Sequence, residues 1–165
     1  MATFTHIFSA DDRVKIAKNG ITVAKVSWRK INGVFLSPVT GNYYYTHQWK
    51  RELKRWQNVP KLAVRVRLHD DEKVFVGKYN EEHIEVSASE AIKIALNHKA
   101  PGGLEVILPR SVKPKELMQF YKPNENVGWR YRPDSNSRKP CWCFYCQRGE
   151  PYSSKRRKEY EADDS

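Results

Sequence analysis

The sequence predicts an α+β fold, one domain of strands with peripheral helices followed by a basic, cysteine-containing C-terminal tail. Three observations carry this. The run Lys61–Leu68 alternates Leu62, Val64, Val66 and Leu68 with Arg65 and Arg67, the period of two that buries one strand face and hydrates the other. Ser87 stands three residues before Glu90, the capping-box spacing that opens a helix, here predicted to about Asn97. From Trp129 onward aliphatic residues become scarce and Lys, Arg, Ser and Pro dominate, so that segment lacks material for a core. The domain boundaries follow as 1–128 and 129–165, and 165 residues suffice to close a core without metals or disulfides.

Taken in order, residues 4–8 read as a strand feeding a helix. Ser9 is placed to cap that helix, the acids Asp11 and Asp12 suit its positive end, and Gly20 supplies its stop. Residues 21–26 alternate loosely, and residues 33–37 form a compact apolar strand ended by Pro38. Residues 42–56 read as a single helix, because Tyr45, Trp49 and Leu53 recur every four residues. After Lys61–Leu68 come a turn at residues 69–71, an extended stretch at 74–76, the helix from Ser87, and a break at Pro101-Gly102-Gly103. Leu104–Leu108 has strand composition with one acid, Glu105, among apolar neighbours. Prolines punctuate the chain from Pro109, and no internal repeat is present.

Thirty Lys and Arg against nineteen Asp and Glu leave a formal charge of +11. Such a field attracts polyanions, nucleic acid foremost, although basic residues also serve simply to hydrate a surface. No apolar run reaches the roughly 18 residues that span a bilayer, and the N-terminus lacks a signal-peptide pattern, so a cytoplasmic protein without membrane contact is expected. All three cysteines fall within six residues, unlike a secreted disulfide framework.

Three short motifs carry a resemblance. The first is Thr5-His6-Ile7-Phe8-Ser9 running into a helix that ends Lys18-Asn19-Gly20. The second is Gly33-Val34-Phe35-Leu36-Ser37 followed by Tyr43, Tyr44 and Tyr45. The third is Gly103-Leu104-Glu105-Val106-Ile107-Leu108-Pro109. In this order they resemble the His-Tyr-Glu type of the ADP-ribosyltransferase superfamily, including bacterial toxins that modify nucleic acid. The resemblance implies a split β-sheet with an NAD cleft over residues 1–128. It implies that His6 binds the NAD ribose and shares in catalysis, that Phe35, Ser37 and Tyr43, Tyr44 and Tyr45 line the cofactor site, and that Glu105 is the catalytic acid. Phe35 stands where many relatives carry Tyr. The substitution keeps a stacking surface and loses a hydroxyl.

In the tail, Cys143-Phe144-Tyr145-Cys146 followed by Gly149 has the shape of a zinc knuckle, with Cys141 a third ligand for a possible zinc ion; three reduced thiols packed beside aromatic residues are the alternative. Between Trp129 and Tyr160 nine Lys or Arg face three acids, interleaved with aromatic rings suited to stacking on single-stranded DNA or RNA. Arg65, Arg67, Arg130, Arg132, Arg138 and Lys139 are the expected phosphate contacts. The activity expected is transfer of ADP-ribose from NAD to nucleic acid with release of nicotinamide; the alternative is a nucleic-acid-binding module with a degenerate NAD site. A toxin of this kind would also need a neutralising protein partner.

Overall fold

The computed structural model describes residues 1–57 and 59–123, and shows a mixed fold in which helices pack on an antiparallel sheet. Strand β1 (Ala2–Ser9) leads through a 3-10 turn (Ala10–Asp12) into helix α1 (Arg13–Asn19). Then come β2 (Val34–Pro38), α2 (Tyr43–His47), α3 (Trp49–Trp56), β3 (Lys61–Leu68), β4 (Lys73–Lys78) and β5 (Ile84–Ser87). Helix α4 (Ala88–Asn97), β6 (Leu104–Leu108), a 3-10 turn (Pro114–Glu116) and β7 (Leu117–Tyr121) complete the described chain.

The seven strands among the described residues lie in the order β5-β4-β6-β2-β1-β3-β7, every neighbouring pair antiparallel. The sheet is weakest at its middle. β1 pairs with β3 along its whole length, from Ala2 opposite Leu68 to Ser9 opposite Lys61, but meets β2 only through Phe4 opposite Pro38 and Thr5 opposite Ser37. Beyond that point the two strands part. Four strand spacings separate β3 from β4, about 19 Å if the sheet were flat. The connection from Leu68 to Lys73 reaches at most about 18 Å, and the bond from Glu72 N–H to the His69 carbonyl folds it into a turn. The sheet therefore curls.

The inside of the curl is the core. Val64, Val66 and Leu68 of β3 share it with Val74 and Val76 of β4, with Phe4 and Phe8 of β1, and with Leu104, Val106 and Leu108 of β6. Helix α4 closes it with Ala88, Ala91 and Ala95, small residues that let its axis approach the strands. Its N-terminus is capped as expected: the Ser87 hydroxyl accepts from Glu90 N–H at 3.2 Å.

Several expectations are modified. Ser9 begins the first helical turn, but its side chain makes no capping bond, and the Ala10 N–H bonds the Pro60 carbonyl. Gly20 ends α1 at φ +79°, and a side chain there would collide with the Val112 carbonyl. Residues 21–26 form no strand, only single bridges from Ile21 to Val112 and from Ala24 to Gly33. The helix expected over 42–56 is divided at Gln48. The Gln48 amide donates to the Tyr45 carbonyl at 3.1 Å, the group that the Trp49 N–H would take in a continuous helix. β5 and β7 were not foreseen from the sequence. Among the described residues, no helix is long and apolar enough to cross a membrane.

Candidate active-site cavity

A cavity of about 270 Å³ opens where β1 and β2 part, on the sheet face turned away from the core. Its walls come from β1, β2 and β6, from α3, and from the connection between α1 and β2. The sheet register explains who meets there. Thr5 pairs with Ser37 and Phe35 pairs with Ile107, so Thr5, Ser37, Phe35 and Glu105 share one face on three adjacent strands. His6, Phe35, Ser37 and Glu105, far apart in sequence, all line this space.

His6 projects to the core side of β1, where its ring stacks parallel to Phe8 at 6.2 Å. It reaches the cavity through the gap in the sheet. Its Nδ1 lies 2.8 Å from the Phe35 carbonyl, a bond that takes the place of the missing backbone ladder between β1 and β2. A carbonyl can only accept, so Nδ1 carries the proton. Burial holds the pKa of His6 below its ordinary value, against the raising effect of the Phe35 bond, so the ring is neutral and Nε2 keeps a lone pair. That nitrogen is an acceptor suited to a hydroxyl.

Glu105 is 3% exposed on β6, an interior strand between β4 and β2, so it is no edge residue hydrating its carboxylate. Burial of a charge demands partners. Two supply it. Arg29 faces the carboxylate with both terminal nitrogens, Nη1 on Oε1 and Nη2 on Oε2. His83 Nε2 lies 3.1 Å from Oε1. The Arg29 guanidinium is also boxed by rings, with Phe35, Tyr79 and Trp28 at 4.7, 4.9 and 5.0 Å. None of these partners was picked out from the sequence. The clues were the Trp28-Arg29 pair in the connection between α1 and β2 and the lone Gly77 in a strand, a usual mark of close approach.

The tyrosines lie elsewhere. Tyr43 stacks on His47 at 4.2 Å, and Tyr44 and Tyr45 meet edge to face at 5.1 Å, all in α2 and outside the cavity lining. The aromatic walls are instead Trp28, Phe35, Trp49 and Tyr79. The physical reason is the division at Gln48: its buried side chain bonds the Leu104 carbonyl and Gly103 N–H, which pins α3, with Trp49, over the cavity and leaves α2 packed on β2 and β1, with His47 bonded to Tyr121 of β7.

Beside the cavity runs a second polar row. Thr5 also pairs with Arg65 on β3, and the Arg65 guanidinium lies 5.3 Å from the Tyr121 ring. The Tyr121 hydroxyl contacts Thr5 Oγ1 at 3.3 Å and donates to His47 Nε2 at 2.7 Å. Burial foremost lowers the His47 pKa to about 4, against a raising bond to the Tyr43 carbonyl and with Arg65 and Lys50 adding repulsion, so His47 is a neutral acceptor. Arg65 and Arg67 form no carboxylate ion pair among the described residues, and Arg67 is exposed. Arg130, Arg132, Arg138, Lys139, Cys141, Cys143 and Cys146 lie outside the described residues. Comparison with family models, curated proteins and solved structures gave no match.

Proposed function

We propose that the chain is an ADP-ribosyltransferase of the His-Tyr-Glu type, with a split-sheet cleft that takes NAD and a basic surface that presents a nucleic-acid acceptor. The observation that carries this reading is the meeting of His6, Phe35, Ser37 and Glu105 in one cavity. The box around Arg29 adds to it. Three rings and a carboxylate hold a planar, delocalised cation there, and the oxidised nicotinamide ring of NAD is likewise planar, delocalised and singly positive.

In the proposed reaction the bond from nicotinamide to ribose breaks, its electrons leave with nicotinamide, and the ribose carbon bonds to a nucleophile of the acceptor, which gives up a proton. Positive charge develops on the ribose as the bond lengthens. Glu105 is the group that stabilises this charge and holds a ribose hydroxyl, and burial strengthens its effect. His6 Nε2 accepts from a second ribose hydroxyl. Phe35 supplies a stacking wall, and entry of nicotinamide requires Arg29 to leave the box.

A specific observation favours the second reading, a nucleic-acid-binding module with a degenerate site. Arg29 already neutralises Glu105 and fills the box, and Phe35 lacks the hydroxyl of a Tyr. The test is nicotinamide release from NAD, with and without single-stranded DNA or RNA, in wild type and Glu105→Gln. Release that requires nucleic acid and falls at least about 100-fold in the variant supports the transferase. Absence of release with nucleic-acid binding intact supports the binding module.

A further inference from the structure

Glu105 is gripped from two sides, and the grips differ. Arg29 comes from the connection between α1 and β2 and lies across the cavity, so a ligand that enters the box takes its place. His83 reaches the same carboxylate from outside the cavity. The turn between β4 and β5 carries it: Asn80 adopts φ +61°, Glu81 N–H bonds the Lys78 carbonyl, and Tyr79 N–H bonds Gly103 at the head of β6. His83 Nδ1 donates to the Glu81 carbonyl at 3.0 Å, which fixes the ring with Nε2 on Glu105.

Room for the ring comes from Gly77, which pairs with Glu105 across β4 and β6. A Cβ at Gly77 would stand 2.8 Å from His83 Cγ. The glycine therefore opens a slot through which a side chain of the next turn reaches the carboxylate. The side chains of His83 and Glu105 are 7% and 4% exposed, so water does not compete for the bond.

We infer that His83 is a positioning residue for Glu105, the partner that keeps the carboxylate oriented once Arg29 has been displaced. This rests on the transferase reading. Without His83, displacement of Arg29 would leave a buried carboxylate without either of these hydrogen-bond partners to fix its rotamer. Because His83 holds Glu105 from behind and does not itself line the cavity, its loss changes the turnover step and not ligand capture.

The experiment measures nicotinamide release by the full chain for wild type, His83→Ala and His83→Gln, with thermal unfolding of each. A long-range ¹H–¹⁵N spectrum of wild type and Glu105→Ala reports the His83 Nε2–H proton. The expected result is a kcat reduced about 10- to 100-fold in His83→Ala with KM within about twofold. His83→Gln, whose amide nitrogen replaces Nε2 as a donor, recovers most of the rate. The Nε2–H signal is slow to exchange in wild type and lost in Glu105→Ala. An active wild type with kcat unchanged in a folded His83→Ala, or a His83→Gln as impaired as His83→Ala, overturns the role of His83 alone. A wild type that releases no nicotinamide with any acceptor overturns the transferase reading and this role with it.

Discussion

Two neutral histidines mark the parting of the sheet, and their titration makes the fold sensitive to acid. The folded state binds a proton at His47 less tightly than the unfolded chain does, so between pH 6.5 and about 4 the unfolded state carries the extra proton. Stability is thus fully present above pH 6.5 and is lost as pH falls toward about 4. His6 shifts in the same direction for the same first cause, burial. We predict that His47→Gln, followed by thermal melts at pH 7 and pH 4.5, shows a smaller acid-induced drop in Tm than wild type. The difference is on the order of 1 kcal/mol, roughly 4 °C for a domain of this size. Equal drops in both proteins would remove His47 from the account. Glu105 was legible at this scale because a lone acid inside an apolar strand is unusual; Arg29 and His83 were not, since nothing local ties them to it.

Elements with a local signal, a cap or an alternation, were the readable ones. Helix α4 is set by Ser87, whose hydroxyl takes the Glu90 N–H, while Ala88 and Ser89 N–H groups find the Glu72 and Asp70 carbonyls in the turn after β3. Ser87→Ala leaves one N–H of the first turn without its partner and is expected to cost about 1 kcal/mol, read as a lower urea midpoint with an unchanged m-value. A loss below about 0.3 kcal/mol would mean that water replaces the hydroxyl. Strand β7 was missed because its sequence, LMQFY, has no alternation; it forms because β3 offers an edge, with a register irregularity between Val64 and Val66. Arg110 fastens that end, with Nη2 at 2.8 Å from both Glu72 and Glu116. Its two partners lie 38 and 6 residues away, a separation no local pattern reveals.

Across the whole molecule, curling of the sheet puts the cavity and the unpaired basic strand face side by side. Arg65 sits opposite Thr5, which also pairs with Ser37 in the cavity wall. An acceptor strand held by Arg65 and Arg67 would therefore run to the cavity mouth. We predict that affinity for single-stranded DNA or RNA falls with salt, and that Arg65→Ala and Arg67→Ala each reduce the slope of log K against log salt by about 1 while nicotinamide release at saturating nucleic acid stays at the wild-type rate. Slopes equal to wild type in both variants would move the acceptor off this face. The +11 charge makes polyanion binding an expectation from composition, but composition does not say where on the surface it would fall.

The sequence by itself determined the strand faces of Lys61–Leu68, the strand character of Leu104–Leu108 and the helix that begins after Ser87, while the candidacy of His6, Phe35, Ser37 and Glu105 came from the resemblance carried by three short motifs in order. Each of those three elements is written in residues within about one helical turn or a few strand positions of one another, where periodicity and capping act. Only the tertiary structure decided that β1 and β2 part after Thr5, that Arg29 and His83 hold Glu105, and that Trp28 and Tyr79, not Tyr43 to Tyr45, wall the cavity. Those outcomes depend on contacts between residues 22 to 76 positions apart, which arise when a buried charge and a curling sheet find their partners.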